Sequence, residues 1–141
     1  MSYVKKTTEQ LKNFVDMIHR RFPDNKDISL GLTAVETLCS HNRQKLFEIF
    51  LTHVYFKKTP KGVLFKDLIK DRDIDFFLNK DTTHIVKSEQ KTETVINVIS
   101  GIRENWKDLE ESEKEAIWIY FDVFIKLTDK YFIEQVTDRI D

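Results

Sequence analysis

Residues 112–136, SEKEAIWIYFDVFIKLTDKYFIEQV, decide the fold. Between Ala116 and Leu127 only Asp122 and Lys126 are plainly hydrophilic, and the run carries Trp118, Tyr120, Phe121 and Phe124. A helix that is apolar nearly all round must be covered on nearly all sides. The segment therefore reads as the central post of a helical bundle, or as a helix clamped between its own domain and a partner. Ser112 followed by Glu115 is a capping box that predicts the helix start, and Glu113 and Glu115 suit the positive field of that terminus. Its polar strip narrows to Glu115, Asp122, Lys126 and Asp129.

Outward from this helix the periodicity is helical almost throughout. Leu11, Phe14, Val15, Ile18 and Phe22 follow an i, i+3, i+4, i+7 rhythm and predict a helix over about 8–21, opened by a Thr7/Gln10 capping box and stopped by Pro23. Ile28, Leu32, Val35, Leu38 and Cys39 predict a second over about 28–39, with Asp27 as its cap. Gly31 within it weakens the helix by roughly 1 kcal/mol relative to Ala. After a break at Ser40-His41-Asn42, the stripe Leu46, Phe47, Phe50, Leu51 and Val54 predicts a helix over about 43–57, ended by Thr59-Pro60-Lys61-Gly62. Residues 63–86 are the least regular: VLFKDLIK fits two helical turns, and the remainder reads as a short turn with flanking loops or a small hairpin. Val95, Val98, Ile99 and Ile102 predict a helix over about 89–104, with Trp106 continuing their spacing. The expected architecture is all-α: one domain, residues 1–141, a bundle of about five to six helices with a central apolar C-terminal helix and an irregular middle segment.

Composition agrees. The chain has 141 residues, 40% of them hydrophobic and 33% charged, with 11 Phe but only 3 Gly and 2 Pro, which disfavours both disorder and a turn-rich sandwich. A domain of this length buries roughly two-thirds of its unfolded surface and needs no disulfide or metal to fold. Cys39 is the single cysteine, so no internal disulfide exists, as suits a reducing compartment. The first ten residues have no apolar core of a secretion signal, and no stretch approaches the ~20 apolar residues of a membrane span. Net charge is −1, but residues 1–70 hold 13 Lys/Arg against 7 Asp/Glu and residues 71–141 hold 10 against 17. Such an asymmetry either orients a partner or disappears when folding mixes the halves.

Motifs for catalysis are weak. Asp71, Asp73 and Asp75 alternate like the opening of a calcium loop, but the positions requiring Gly and a bidentate Glu hold Phe76 and Thr82. His19, His41, His53 and His84 include no pair one helical turn apart, and Cys39-Ser40-His41 has no second ligand pair. Gly31, Gly62 and Gly101 are too scattered for a phosphate-binding loop. Neither an enzyme nor a cofactor or metal is expected.

Two binding readings remain. Trp106, Trp118, Tyr120, Phe124 and Tyr131 are either core or a contact surface for a second copy or another protein, since a bundle this small offers few neighbours to a helix so apolar. Arg20, Arg21, Arg43, Lys45, Lys57, Lys58 and Lys61 cluster near helix ends. They are either solvated termini or an alternative nucleic-acid contact with salt-sensitive binding.

Trp106-Lys107-Asp108-Leu109, Ser112-Glu113-Lys114 and Ile117-Trp118-Ile119-Tyr120 resemble the tail of small helical proteins encoded by nucleocytoplasmic large DNA viruses, the giant viruses. Arg21-Phe22-Pro23 and Asp75-Phe76-Phe77-Leu78 with Asn79-Lys80-Asp81 look like the same family, so the resemblance spans residues 10 to 132. Richness in Lys, Asn, Ile and Phe is likewise similar to that of AT-rich viral genomes. The resemblance implies a viral origin and a helical fold and transfers no catalytic or ligand residue. The expectation is a non-enzymatic viral protein of host cytoplasm or virion that acts through contacts with itself or with another viral or host protein.

Overall fold

The computed structural model describes residues 2–73 and 90–140; the expected turn or hairpin beyond Asp73 lies outside these residues. Six α-helices are described: α1 (Tyr3–Arg21), α2 (Lys26–His41), α3 (Arg43–Phe50), α4 (Phe65–Lys70), α5 (Gln90–Glu104) and α6 (Glu111–Ile140). A π-helical turn, Leu51–Tyr55, extends α3, and a 3₁₀ turn, Trp106–Asp108, joins α5 to α6. There is no β-strand among the described residues, only an isolated bridge between Lys58 and Leu64. The all-α expectation holds. The helices share one core: α2 packs against both α1 and α5, α1 against α6, and α3 across α1 and α2.

The helix starts differ from the expected ones for local reasons. Ser2, not Thr7, caps α1: its side chain accepts the Lys5 N–H at 3.1 Å. Thr7 and Thr8 are inside the helix and fully buried, and Thr8 Oγ1 donates to the Val4 carbonyl. Asn25 rather than Asp27 caps α2, accepting from the Ile28 N–H. The break before α3 contracts to Asn42 alone, whose N–H closes α2 on the Leu38 carbonyl at 2.7 Å while its Oδ1 caps α3 at Lys45 N. At α6 the box is shifted by two residues. Glu113 Oε1 accepts the Glu110 N–H at 2.9 Å, and Lys114 N–H reaches the Glu110 carbonyl, so the helix begins at Glu111.

The helix expected over 43–57 ends in a widened turn, with the Phe56 N–H bonded five residues back to the Leu51 carbonyl at 2.8 Å. This turn buries Tyr55 beneath α6 and leaves Leu51 and Val54 at the edge of the core. The chain then reverses through Thr59–Gly62, where Gly62 has φ +86 and supplies the left-handed conformation that the turn requires.

The end of α4 is a Schellman closure: Asp73 N–H bonds to the Leu68 carbonyl and Arg72 N–H to the Ile69 carbonyl, with Arg72 at φ 56 where Gly is usual. That conformation costs an L-residue roughly 1–2 kcal/mol. The side chain supplies the reason. Arg72 pairs with Asp122 at 2.9 Å and Glu115 at 3.4 Å, and its guanidinium lies over the Trp118 ring. Asp129 in turn accepts the Tyr55 hydroxyl at 2.5 Å. The carboxylates of α6's polar strip are thus turned toward α4 and the π-helical turn.

Two glycines explain how α2 and α5 pack. A Cβ at Gly31 would stand 2.1 Å from Val98 Cγ2, and one at Gly101 would stand 2.7 Å from Ile28 Cγ1. Each helix presents a glycine to a branched side chain of the other, so the axes approach more closely than Ala would allow.

Candidate interaction surface

Of the five aromatic residues expected at an interface, Trp106, Trp118 and Phe124 are core: Phe124 is 2% exposed, between Phe14 of α1 and Phe50 of α3. Trp106 and Trp118 meet edge to face at 5.9 Å. Tyr120 and Tyr131 are half-buried, with Tyr120 against Phe14 and Tyr131 against Phe47. Burial in the core corrects the expectation for Trp106, Trp118 and Phe124, while Tyr120 and Tyr131 keep part of their surface open.

The basic set does not converge. Arg20 pairs with Asp16, Arg21 with Glu113 at 2.7 Å and with the Asp108 carbonyl, and Arg43 with Thr8 Oγ1 at 3.2 Å and Glu9 at 3.6 Å. Arg43 reaches the first turns of α1 while Arg20 and Arg21 lie in its last, roughly 20 Å away at 1.5 Å per residue. Lys45 lies in the first turn of α3. Lys57, Lys58 and Lys61 sit beyond the π-helical turn.

The apolar surface left open lies farther along α6. Ile133 is 65% exposed, Val136 56% and Phe56 52%. Phe132 joins them: its ring meets Phe56 at 5.5 Å and stacks on Tyr55 at 5.6 Å. Residues 132, 133 and 136 share one face of a helix, so the four side chains make a continuous patch. Lys57 and Lys58 follow Phe56 in the chain, whereas Glu134 and Asp138 fall on the opposite face of the helix from Phe132 and Val136. Ile133 and Val136 stood in the quoted stretch but past its most apolar part, and nothing in the sequence linked them to Phe56.

The remaining groups with chemical potential are engaged or inert. Cys39 is buried with Sγ 3.2 Å from the Thr8 carbonyl; burial pushes its thiol pKa up, against the opposing charges of Arg43 and Lys12. His41 is exposed while Cys39 is buried, so the Cys39-Ser40-His41 triplet forms no site. Among the described residues no three His, Cys, Asp or Glu side chains are placed to hold a metal ion. Burial, then the hydrogen bond and charge of Asp129, hold the Tyr55 hydroxyl above the usual tyrosine range, so it stays a donor. Lys66 sits over the Tyr55 ring at 4.3 Å. Among the described residues no helix is long and apolar enough to cross a membrane.

His53, on the π-helical turn, is held below the ordinary histidine value of 6.5 by burial and then by Lys57. Because folding lowers its proton affinity, the unfolded chain binds the proton first as pH falls. The contribution of His53 is therefore fully present above pH 6.5 and declines below it until the folded form protonates too. Urea midpoints are expected to drop more steeply below pH 6.5 in the wild type than in His53→Gln; parallel profiles would contradict this.

No protein-family model, curated protein or solved structure matches this chain.

Proposed function

We propose that the protein is a non-enzymatic interaction module that self-associates through the patch of Phe56, Phe132, Ile133 and Val136. The carrying observation is that patch: three large apolar side chains more than half exposed, adjoining a fourth. Contiguous exposed apolar surface of this kind marks contact sites. The occupant is a second copy, since an apolar patch can cover the same patch of its copy. A two-fold axis through the patch would bury it by symmetry, the commonest way a soluble chain associates with itself. The viral origin implied by the sequence resemblance, with action in host cytoplasm or virion, belongs to the same proposal. The alternative of nucleic-acid binding is weakened because Arg20, Arg21 and Arg43 already have carboxylate partners.

Sedimentation velocity tests the reading. The wild type is expected to form a reversible dimer with Kd near or below about 100 μM, an interaction of roughly −5.5 kcal/mol. Ile133→Glu should be monomeric with unchanged helicity. A wild type that stays monomeric throughout that range would sink the proposal.

A further inference from the structure

A partly open apolar cavity of about 90 Å³ lies between α1, α2, α3, α5, α6 and the π-helical turn. Leu11, Val15, Val35, Ile49, Val98 and Phe124 are among its lining, and among the described residues His53 is the only one lining it with a polar side chain. Interiors are close-packed and seldom keep voids of this size. Water does not suit it, because a buried water needs two to four polar partners and this wall offers one. An empty cavity leaves its lining without dispersion contacts on one side, and an apolar occupant restores them. Engineered cavities of roughly 150 Å³ with similar walls stay dry and take up benzene or xenon.

The turn that bounds the cavity is the one departure from α-helical winding within α3 and its extension. Such π-helical insertions occur disproportionately at functional sites. Here it carries His53 and Val54, which line the cavity and are themselves partly open to solvent. We infer that this cavity is a binding site for a compact apolar molecule no larger than a benzene ring, independent of the self-association surface.

Xenon and benzene serve as probes on the full chain. The ¹²⁹Xe resonance is expected to shift saturably with protein concentration, with methyl signals of Val15, Val35, Ile49 and Val98 moving in step. Benzene should raise the thermal unfolding midpoint by binding the native state. Val35→Leu, which fills the space, should abolish both effects while keeping the helical spectrum. Should that variant fail to fold, Val54→Leu at the partly exposed wall makes the same test. Either a non-saturable xenon shift in the wild type, or uptake undiminished in the filled variant that folds, overturns the inference.

Discussion

Phe124→Ala is expected to destabilise the protein by about 3–5 kcal/mol, the range for truncating a fully buried phenylalanine. Phe124 is 2% exposed and meets the rings of Phe14, Phe50, Tyr120 and Phe121 at 5.6–6.1 Å. Those four side chains come from α1, α3 and α6, so one truncation loosens three elements together. Phe124 also borders the apolar cavity, and the space left by its ring would merge with a void already present rather than collapse. Against a typical domain stability of about 5–15 kcal/mol, such a loss leaves a marginal fold. Chemical denaturation followed by circular dichroism measures it. Ile133→Glu, two and a half turns farther along the same helix, is the control and should leave the midpoint nearly unchanged. Comparable losses in the two variants would contradict the division of α6 into a packed part and an open part.

Gly31→Ala is expected to cost about 1–2 kcal/mol net. Alanine favours a helix over glycine by roughly 1 kcal/mol, and overpacking a tight contact costs about 1–3 kcal/mol. The contact decides the sign: a Cβ 2.1 Å from Val98 Cγ2 and 3.3 Å from the Thr94 carbonyl cannot be accommodated without moving α5 or displacing Val98. Val98 borders the cavity, so some displacement is available, which keeps the cost at this level. Adding Val98→Ala removes the clashing methyl, and the double variant should be more stable than the two single losses predict, by roughly 0.5–3 kcal/mol of coupling. Denaturation midpoints for the four proteins of the cycle give the answer. A Gly31→Ala protein at least as stable as the wild type would show that α2 and α5 do not approach this closely.

Much of the architecture was legible because amphipathic periodicity is a local property. The stripe through Leu11, Phe14, Val15 and Ile18 placed α1, and Leu46, Phe47 and Phe50 placed α3, since each helix must turn one face to a core wherever its neighbours lie. The ends were less legible. Thr7 and Asn25, like Ser2 and Asp27, are all chemically able to cap, and only the path of the preceding residue selects one. Gly31 read alone was a weakness in a helix; its meaning depends on Val98, far away in sequence. Arg72 occupies a position where Gly would be expected, and its reason, Asp122 and Glu115, lies on another helix.

The candidate surface was the least legible. Trp118 and Phe124 carried the strongest apolar signal and are buried, while Phe56 and Ile133 carried a weaker one and remain open. Hydrophobicity specifies that a side chain gains by leaving water, not which neighbour covers it. By itself, then, the sequence 112–136 determined that a long apolar helix organises an all-α fold. Tertiary structure alone decided which parts of that helix are covered, because coverage depends on surface that distant segments bring to it.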